Sequence, residues 1–192
     1  MLRVIALSVI FLVSCSQPST HVYEVREVVG TGSQFYDKGA VSYQGFLAAF
    51  RAYPWAEQVG IAAALEEQHE NEAEEDSVFI PGPAIKVTDT ATDGASMFVS
   101  AIGSADAFGY IVGIIYPKAF ALELEGEAGD EHAKTKTELV RWAELFMVKP
   151  AALVERYAEK FFAGDAQSLL EYMRKAPPFA SGEASEIVNL EE

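Results

Sequence analysis

The residues able to do chemistry are few and scattered. His21, His69 and His132 are the three histidines of the chain, and Cys15 is its one cysteine. Nucleophilic hydrolysis needs a serine on a sharp turn, or a cysteine, with a base in reach. No G-x-S-x-G occurs, His21 lies at the end of a short polar stretch, and His69 and His132 fall among acidic residues. All three are read as surface histidines. A zinc centre needs clustered His and Cys at short spacing. The chain has no H-E-x-x-H, only the pairs His69-Glu70 and Glu131-His132. Gly30-Thr31-Gly32 supplies two glycines of a G-x-G-x-x-G phosphate turn, but Phe35 stands at the third position and no Walker-type lysine follows. It is read as a turn after a strand. No catalytic residue, metal site or cofactor is assigned.

Acidic side chains are abundant instead. With 29 Asp and Glu residues, two acids near each other in sequence do not identify a hydrolytic pair. Asp89, Asp93 and Asp106 lie near strand ends, where binding residues tend to sit, and serve equally well as turn formers. The densest stretch, Glu66 to Asp76 (EEQHENEAEED), holds seven carboxylates in eleven residues and no Lys or Arg. It lacks the alternating Asp/Asn pattern and central Gly of a calcium loop, so it reads as a solvated charge run. A role in partner binding falls on Glu70, Glu72, Glu74, Glu75 and Asp76. Such a run speeds association with cationic partners. Phe35, Tyr36 and Phe179 fall in irregular segments and are aromatic candidates for a binding surface. Trp55, Trp142, Tyr157, Phe161 and Phe162 sit at helical core spacing.

The N-terminus carries an address. Arg3 precedes an apolar run, Val4 to Val13, interrupted only by Ser8 and too short to span a bilayer. The run ends in Leu12-Val13-Ser14-Cys15. This resembles the lipobox of bacterial lipoproteins. The resemblance covers residues 1–15 and implies diacylation of the Cys15 thiol, cleavage before it and acylation of its amine. It accounts for a lone cysteine in an exported chain. It also implies a protein anchored in the cell envelope through lipid on Cys15 and facing the periplasm. Ser16, rather than Asp, follows the cysteine. In enteric-type bacteria that pattern resembles lipoproteins sent to the outer membrane.

Loss of residues 1–14 removes Arg3 and no acidic residue, taking the formal charge from −15 to −16. That sign disfavours nucleic acid and anionic lipid headgroups as partners. Half of the residues are hydrophobic, which supports one domain with a sizeable core.

The elements follow from periodicity. A polar tether over 15–21 leads into a strand from Val22 to Val29. Ser42 caps a helix bearing Tyr43, Phe46, Leu47 and Phe50, and Pro54 ends or kinks it. A second helix runs from Trp55 to Gln68, with Trp55, Val59, Ala62 and Ala63 inward. Strands are expected at 78–80, around Ile85 and Val87, and at 97–102. FGYIVGIIY (Phe108 to Tyr116) gives a central strand stopped by Pro117, and a strand over 119–125 follows. Leu139, Trp142, Ala143 and Phe146 predict a helix. Val154, Tyr157, Phe161 and Phe162 predict another after Pro150, and Leu169, Leu170 and Met173 a last one after Gly164-Asp165.

The grouping predicts an α+β domain over 22–176: an antiparallel sheet of about five strands covered by N-terminal and C-terminal helices. Residues 177–192 read as an acidic flexible tail. The functional expectation is a tethered binding module without catalysis, an immunity protein or inhibitor that captures a basic toxin or lysozyme-like enzyme. The alternatives are a structural or assembly lipoprotein of the envelope, and a hydrolase with a non-standard site around Asp89, Asp93, Asp106 or a histidine.

Overall fold

Along the chain, β1 (His21–Arg26) and β2 (Tyr36–Ala40) are followed by α1 (Tyr43–Ala52) and α2 (Trp55–Glu72). Four strands come next: β3 (Ala84–Asp89), β4 (Ser96–Ser104), β5 (Ala107–Glu123) and β6 (Thr135–Val148). Helices α3 (Ala151–Phe162) and α4 (Ala166–Met173) precede β7 (Ala180–Glu183) and the single turn α5 (Ala184–Ile187). This computed structural model describes residues 19–29, 34–72, 81–91, 94–123, 135–164 and 166–187. The signal segment with Cys15, and the strand expected at 78–80, lie outside the described residues.

The strands form one antiparallel sheet in the order β2-β1-β3-β4-β5-β6-β7. The α+β class holds. The sheet has seven strands rather than about five, and the helices are inserted between strands rather than gathered at the two ends of the chain.

Alternation sorts the strand residues onto two faces. Val25, Ile85, Val99, Val112 and Ile114 point to one face and pack against Phe46 and Phe50 of α1, Val154 and Phe161 of α3, and Leu169 and Leu170 of α4. This is the main core, and the two short C-terminal helices carry the stripes expected of them. Ser42 caps α1 by accepting from the Gly45 N–H at 3.2 Å. The backbone leaves helical geometry at Tyr53, so Pro54 separates α1 from α2. The second face carries Arg26, Ala84, Phe98, Ile115 and Ala143. Its cover is slight: Phe35 and the α5 residues Ala184 and Ile187.

Three expectations are corrected. Residues 135–148 form strand β6, not a helix. Leu139, Trp142, Ala143 and Phe146 do satisfy helical spacing. Yet the same stretch offers Leu139, Ala143 and Leu145 to one face and Trp142, Glu144 and Phe146 to the other. Pairing with β5 along its whole length decides the outcome, as tertiary context commonly overrides local preference. Pro117 does not stop β5, which continues to Glu123. β4 pairs with β5 only as far as Ile115, so Pro117 stands where β5 has become an edge. A residue without an N–H is tolerated there. Finally, residues 177–192 are not wholly a loose tail. Ala180 to Glu183 pair with β6, and α5 packs back onto the second face.

Candidate functional site

The second sheet face holds a cavity of about 230 Å³. Its floor is Phe98, Ser100 and Ile102 of β4, Ile111 of β5 and Leu145 of β6. Alternation and register place these five residues on one face. One wall is α2, through Ala62, Ala63 and Glu66. Ile187 of α5 and Arg26 at the end of β1 complete the lining. The volume lies just below the usual range for small-molecule pockets, and the mainly apolar lining is typical of them.

Two glycines shape this region. A Cβ on Gly113 would come within 2.6 Å of Leu145 Cδ2 and 3.4 Å of Phe98 Cδ1. Bare backbone there lets the Leu145 and Phe98 side chains approach each other across β5. On Gly182, a Cβ would meet Ile187 Cδ1 at 2.6 Å. The missing side chain is what lets α5 lie close to the sheet.

Arg26 is the polar focus of the cavity. It is only 3% exposed. Its Nε donates to the Gly82 carbonyl at 2.9 Å. Its guanidinium lies 4.9 Å from the Phe35 ring centroid and 5.8 Å from that of Phe98. Among the described residues its Nη1 is buried without a hydrogen-bond partner. Burial pushes its pKa down to about 10, against a smaller upward effect of Tyr53. Helix packing fixes the strand end beneath it. Tyr53 Oη donates to the Arg26 carbonyl at 2.6 Å, and the Val28 N–H donates to Gln58 Oε1 at 2.6 Å. Ser100 Oγ donates to the Pro83 carbonyl at 2.8 Å and is thereby engaged.

A second polar cluster lies on the helical side of the sheet. Glu144 is 5% exposed. It accepts from Arg174 Nε at 2.9 Å, from Arg174 Nη2, and from Tyr116 Oη at 2.8 Å. Arg174 Nη2 also donates to Tyr116 Oη at 3.1 Å. Hydrogen bonding by Arg174 holds the Glu144 carboxyl below its ordinary range, with burial opposing. Burial and the Glu144 carboxylate push Tyr116 up to about 12. Its oxygens and donors satisfy one another, which suits a structural tie between β6 and the end of α4.

The residues singled out in the sequence are dispersed. Glu70 and Glu72 lie in the last part of α2, beyond Glu66 at the cavity rim, while Glu74, Glu75 and Asp76 lie outside the described residues. Phe35 is half-buried against Phe98 and Arg26, whereas Tyr36, at the start of β2, is 48% exposed. Asp89 caps a turn by accepting from the Ala91 N–H at 2.9 Å. Asp106 occupies the two-residue turn between β4 and β5, and Asp93 and His132 lie outside the described residues.

His21 corrects the surface reading. It is 8% exposed, stacks on Phe162 with centroids 4.3 Å apart and meets Phe161 edge-on at 5.7 Å. Burial lowers its pKa, with Asp89 pulling the other way. No group of three or more His, Cys, Asp or Glu that could hold a metal ion occurs among the described residues.

Arg26 was invisible to motif reasoning, because a lone arginine in a strand has no spacing signature. The one available signal was its place in Val25-Arg26, at the inner end of an alternating strand. No family model, curated protein or solved structure matches the chain.

Proposed function

We propose that the protein is a lipid-tethered binding module of the bacterial cell envelope, which works by holding a ligand and not by turning one over. The observation that carries this reading is the sheet-face cavity: among the described residues, mainly apolar walls around one buried cation, Arg26 of β1. Its polar lining is Arg26, Glu66 and Ser100, and Ser100 is bound to backbone. That set suits orientation of a bound molecule. The lipobox-like Leu12-Val13-Ser14-Cys15 supports the tether.

Two measurements test the two halves. The full-length chain in phosphatidylcholine vesicles, titrated with [1-13C]decan-1-ol, is expected to give a saturable protein-bound carbon resonance. Ile102→Trp, at a half-exposed position on the cavity floor, should weaken it. No saturable resonance, or one indifferent to that change, overturns the cavity reading. Cys15→Ala should abolish fatty-acid labelling and release from the membrane fraction a chain that otherwise stays there. Unchanged membrane retention overturns the tether.

A second reading is favoured by charge. A formal charge of −15 and the acidic run that begins at Glu66 suit capture of a basic protein, as an immunity protein or inhibitor would. It predicts a single basic partner in pull-downs from the protein's own envelope, bound at low salt and lost at high salt. Partners held equally at both, or none, would count against it.

A further inference from the structure

The Nη1 of Arg26, buried without a hydrogen-bond partner among the described residues, defines what the cavity should hold. Resting on the binding-module reading above, we infer that the sheet-face cavity takes a monoanionic amphiphile, a carboxylate on a flexible alkyl chain. The carboxylate would sit on Arg26 and the chain along Phe98, Ile102, Ile111, Leu145 and Ile187.

Three observations carry this. First, Arg26 lines the cavity while 97% buried, and its Nη1 has no hydrogen-bond partner among the described residues. A buried donor without a partner is costly, and a charged one more so. Its other contacts among the described residues, the Gly82 carbonyl and the Phe35 and Phe98 rings, are neutral. A ligand carboxylate supplies the missing acceptor and charge, through a charge-assisted hydrogen bond. Second, Arg26 is the only cation in the lining among the described residues. Lys86, its neighbour on the strand beside it, is paired with Glu24 at 2.7 Å. Glu66 adds a carboxylate at the rim. One positive charge opposed by one negative charge selects a singly charged headgroup over a phosphate dianion, and it rejects a cationic one. Third, among the described residues the rest of the lining offers almost nothing to a second polar group. Ser100 is bound to Pro83, and the other floor residues are hydrocarbon or aromatic. Ile102, 51% exposed, leaves an edge of that floor open for a ligand tail.

The test uses the full-length chain in phosphatidylcholine vesicles, with [1-13C]decanoate, [1-13C]decan-1-ol and decyltrimethylammonium as probes. Decanoate is expected to bind about tenfold to a hundredfold more tightly than decanol, the range for a hydrogen bond to a charged group. Decyltrimethylammonium should not compete with it. Arg26→Met should abolish the preference for decanoate over decanol. Arg26→Lys should keep the preference at reduced affinity, which separates loss of charge from loss of fold. Far-UV circular dichroism checks that each variant is folded. Equal binding of decanoate and decanol, or a preference that survives Arg26→Met, overturns the inference and leaves the binding-module reading standing. Failure of both probes to bind overturns that reading itself. Mass spectrometry of molecules extracted from the protein purified from its own membranes then separates the sources: a free fatty acid, or an acyl chain cleaved from a membrane lipid.

Discussion

Removal of Arg174 gives the sharpest test of how the two layers are joined. Glu144 is 5% exposed on β6, with the Arg174 side chain 41% exposed above it. Arg174→Met deletes two of the three donors to that carboxylate and leaves Tyr116 Oη. Breaking a buried pair by removing one partner costs about 3–5 kcal/mol, because the remaining charge is left without compensation. Arg174 is partly solvated and Tyr116 still donates, so the expected loss is about 2–3 kcal/mol at neutral pH. The pH dependence has a defined sign. In the intact protein Glu144 titrates below its ordinary value of 4.5, so its contribution is complete above that value and is lost as pH falls through the folded-state pKa. In the variant the two lowering effects of Arg174 are gone and burial is opposed by Tyr116 and Lys118, so the folded-state pKa lies above that of the intact protein. The folded carboxyl then takes up a proton first, and the penalty shrinks as the pH is lowered from neutrality towards 4.5. Urea unfolding at neutral pH and near pH 4.5 reads both values. A neutral pair, Glu144→Gln with Arg174→Met, should recover at least half of the loss, since no buried charge remains. A loss below about 0.5 kcal/mol at neutral pH, or an equal loss at both pH values, would refute the assignment of Glu144 as a buried, Arg174-dependent charge.

Three further outcomes are expected. His21→Phe should keep the stack on Phe162 and remove an acid sensitivity: the lowered pKa of His21 makes its contribution complete above the ordinary value of 6.5 and lost as pH falls through the folded-state value. The parent should therefore lose urea resistance relative to the variant between about pH 7 and pH 5, and parallel pH profiles would contradict this. Phe46→Ala removes a 0% exposed ring packed 5.6 Å from Phe162 and 6.4 Å from Phe50. It should cost about 3–5 kcal/mol by thermal or urea unfolding, and a cost under about 1 kcal/mol would place α1 outside the core. Gly113→Ala must displace Leu145 and should cost about 1–3 kcal/mol while narrowing the cavity; a variant as stable as the parent and unchanged in ligand affinity would show that Leu145 moves freely.

The parts of the fold legible in the sequence are those in which local pattern and tertiary environment agree. Helix α1 has a cap, a stripe and a following proline, and Phe46, Leu47 and Phe50 are buried as the stripe requires. Leu169, Leu170 and Met173 of α4 behave likewise. Strand β6 fails because Leu139, Trp142, Ala143 and Phe146 fit two periods at once. Which period applies depends on β5 lying alongside, and residue spacing holds no record of that partner. Tyr36 to Ala40 of β2 has no apolar alternation, since it is a largely exposed edge strand, and the Ala-Ser-Gly-Glu of β7 is too short and small to register. The candidate site is less legible still. Its floor comes from three strands and its walls from two helices distant in sequence, so no window of the chain contains it. His21 reads as exposed because the aromatic pair that covers it, Phe161 and Phe162, lies 140 residues further along in α3.

Fold and function make opposite demands on Arg26. For stability alone, a guanidinium 3% exposed whose Nη1 has no hydrogen-bond partner among the described residues is a poor occupant of a strand end. The two rings and the Gly82 carbonyl soften the desolvation without removing it. Replacement of buried charges by hydrocarbon of similar volume is often neutral or stabilising by about 1–4 kcal/mol. Arg26→Met should therefore leave the ligand-free protein at least as resistant to urea as the parent. A ligand carboxylate reverses the balance: it binds only the folded parent with its headgroup paired, and adds stability that grows with ligand concentration. Decanoate should then raise the urea midpoint of the parent and not that of the variant. If Arg26→Met instead loses more than about 2 kcal/mol without ligand, the guanidinium is a fold determinant held by Phe35, Phe98 and Gly82, and the case for a headgroup site on this strand fails.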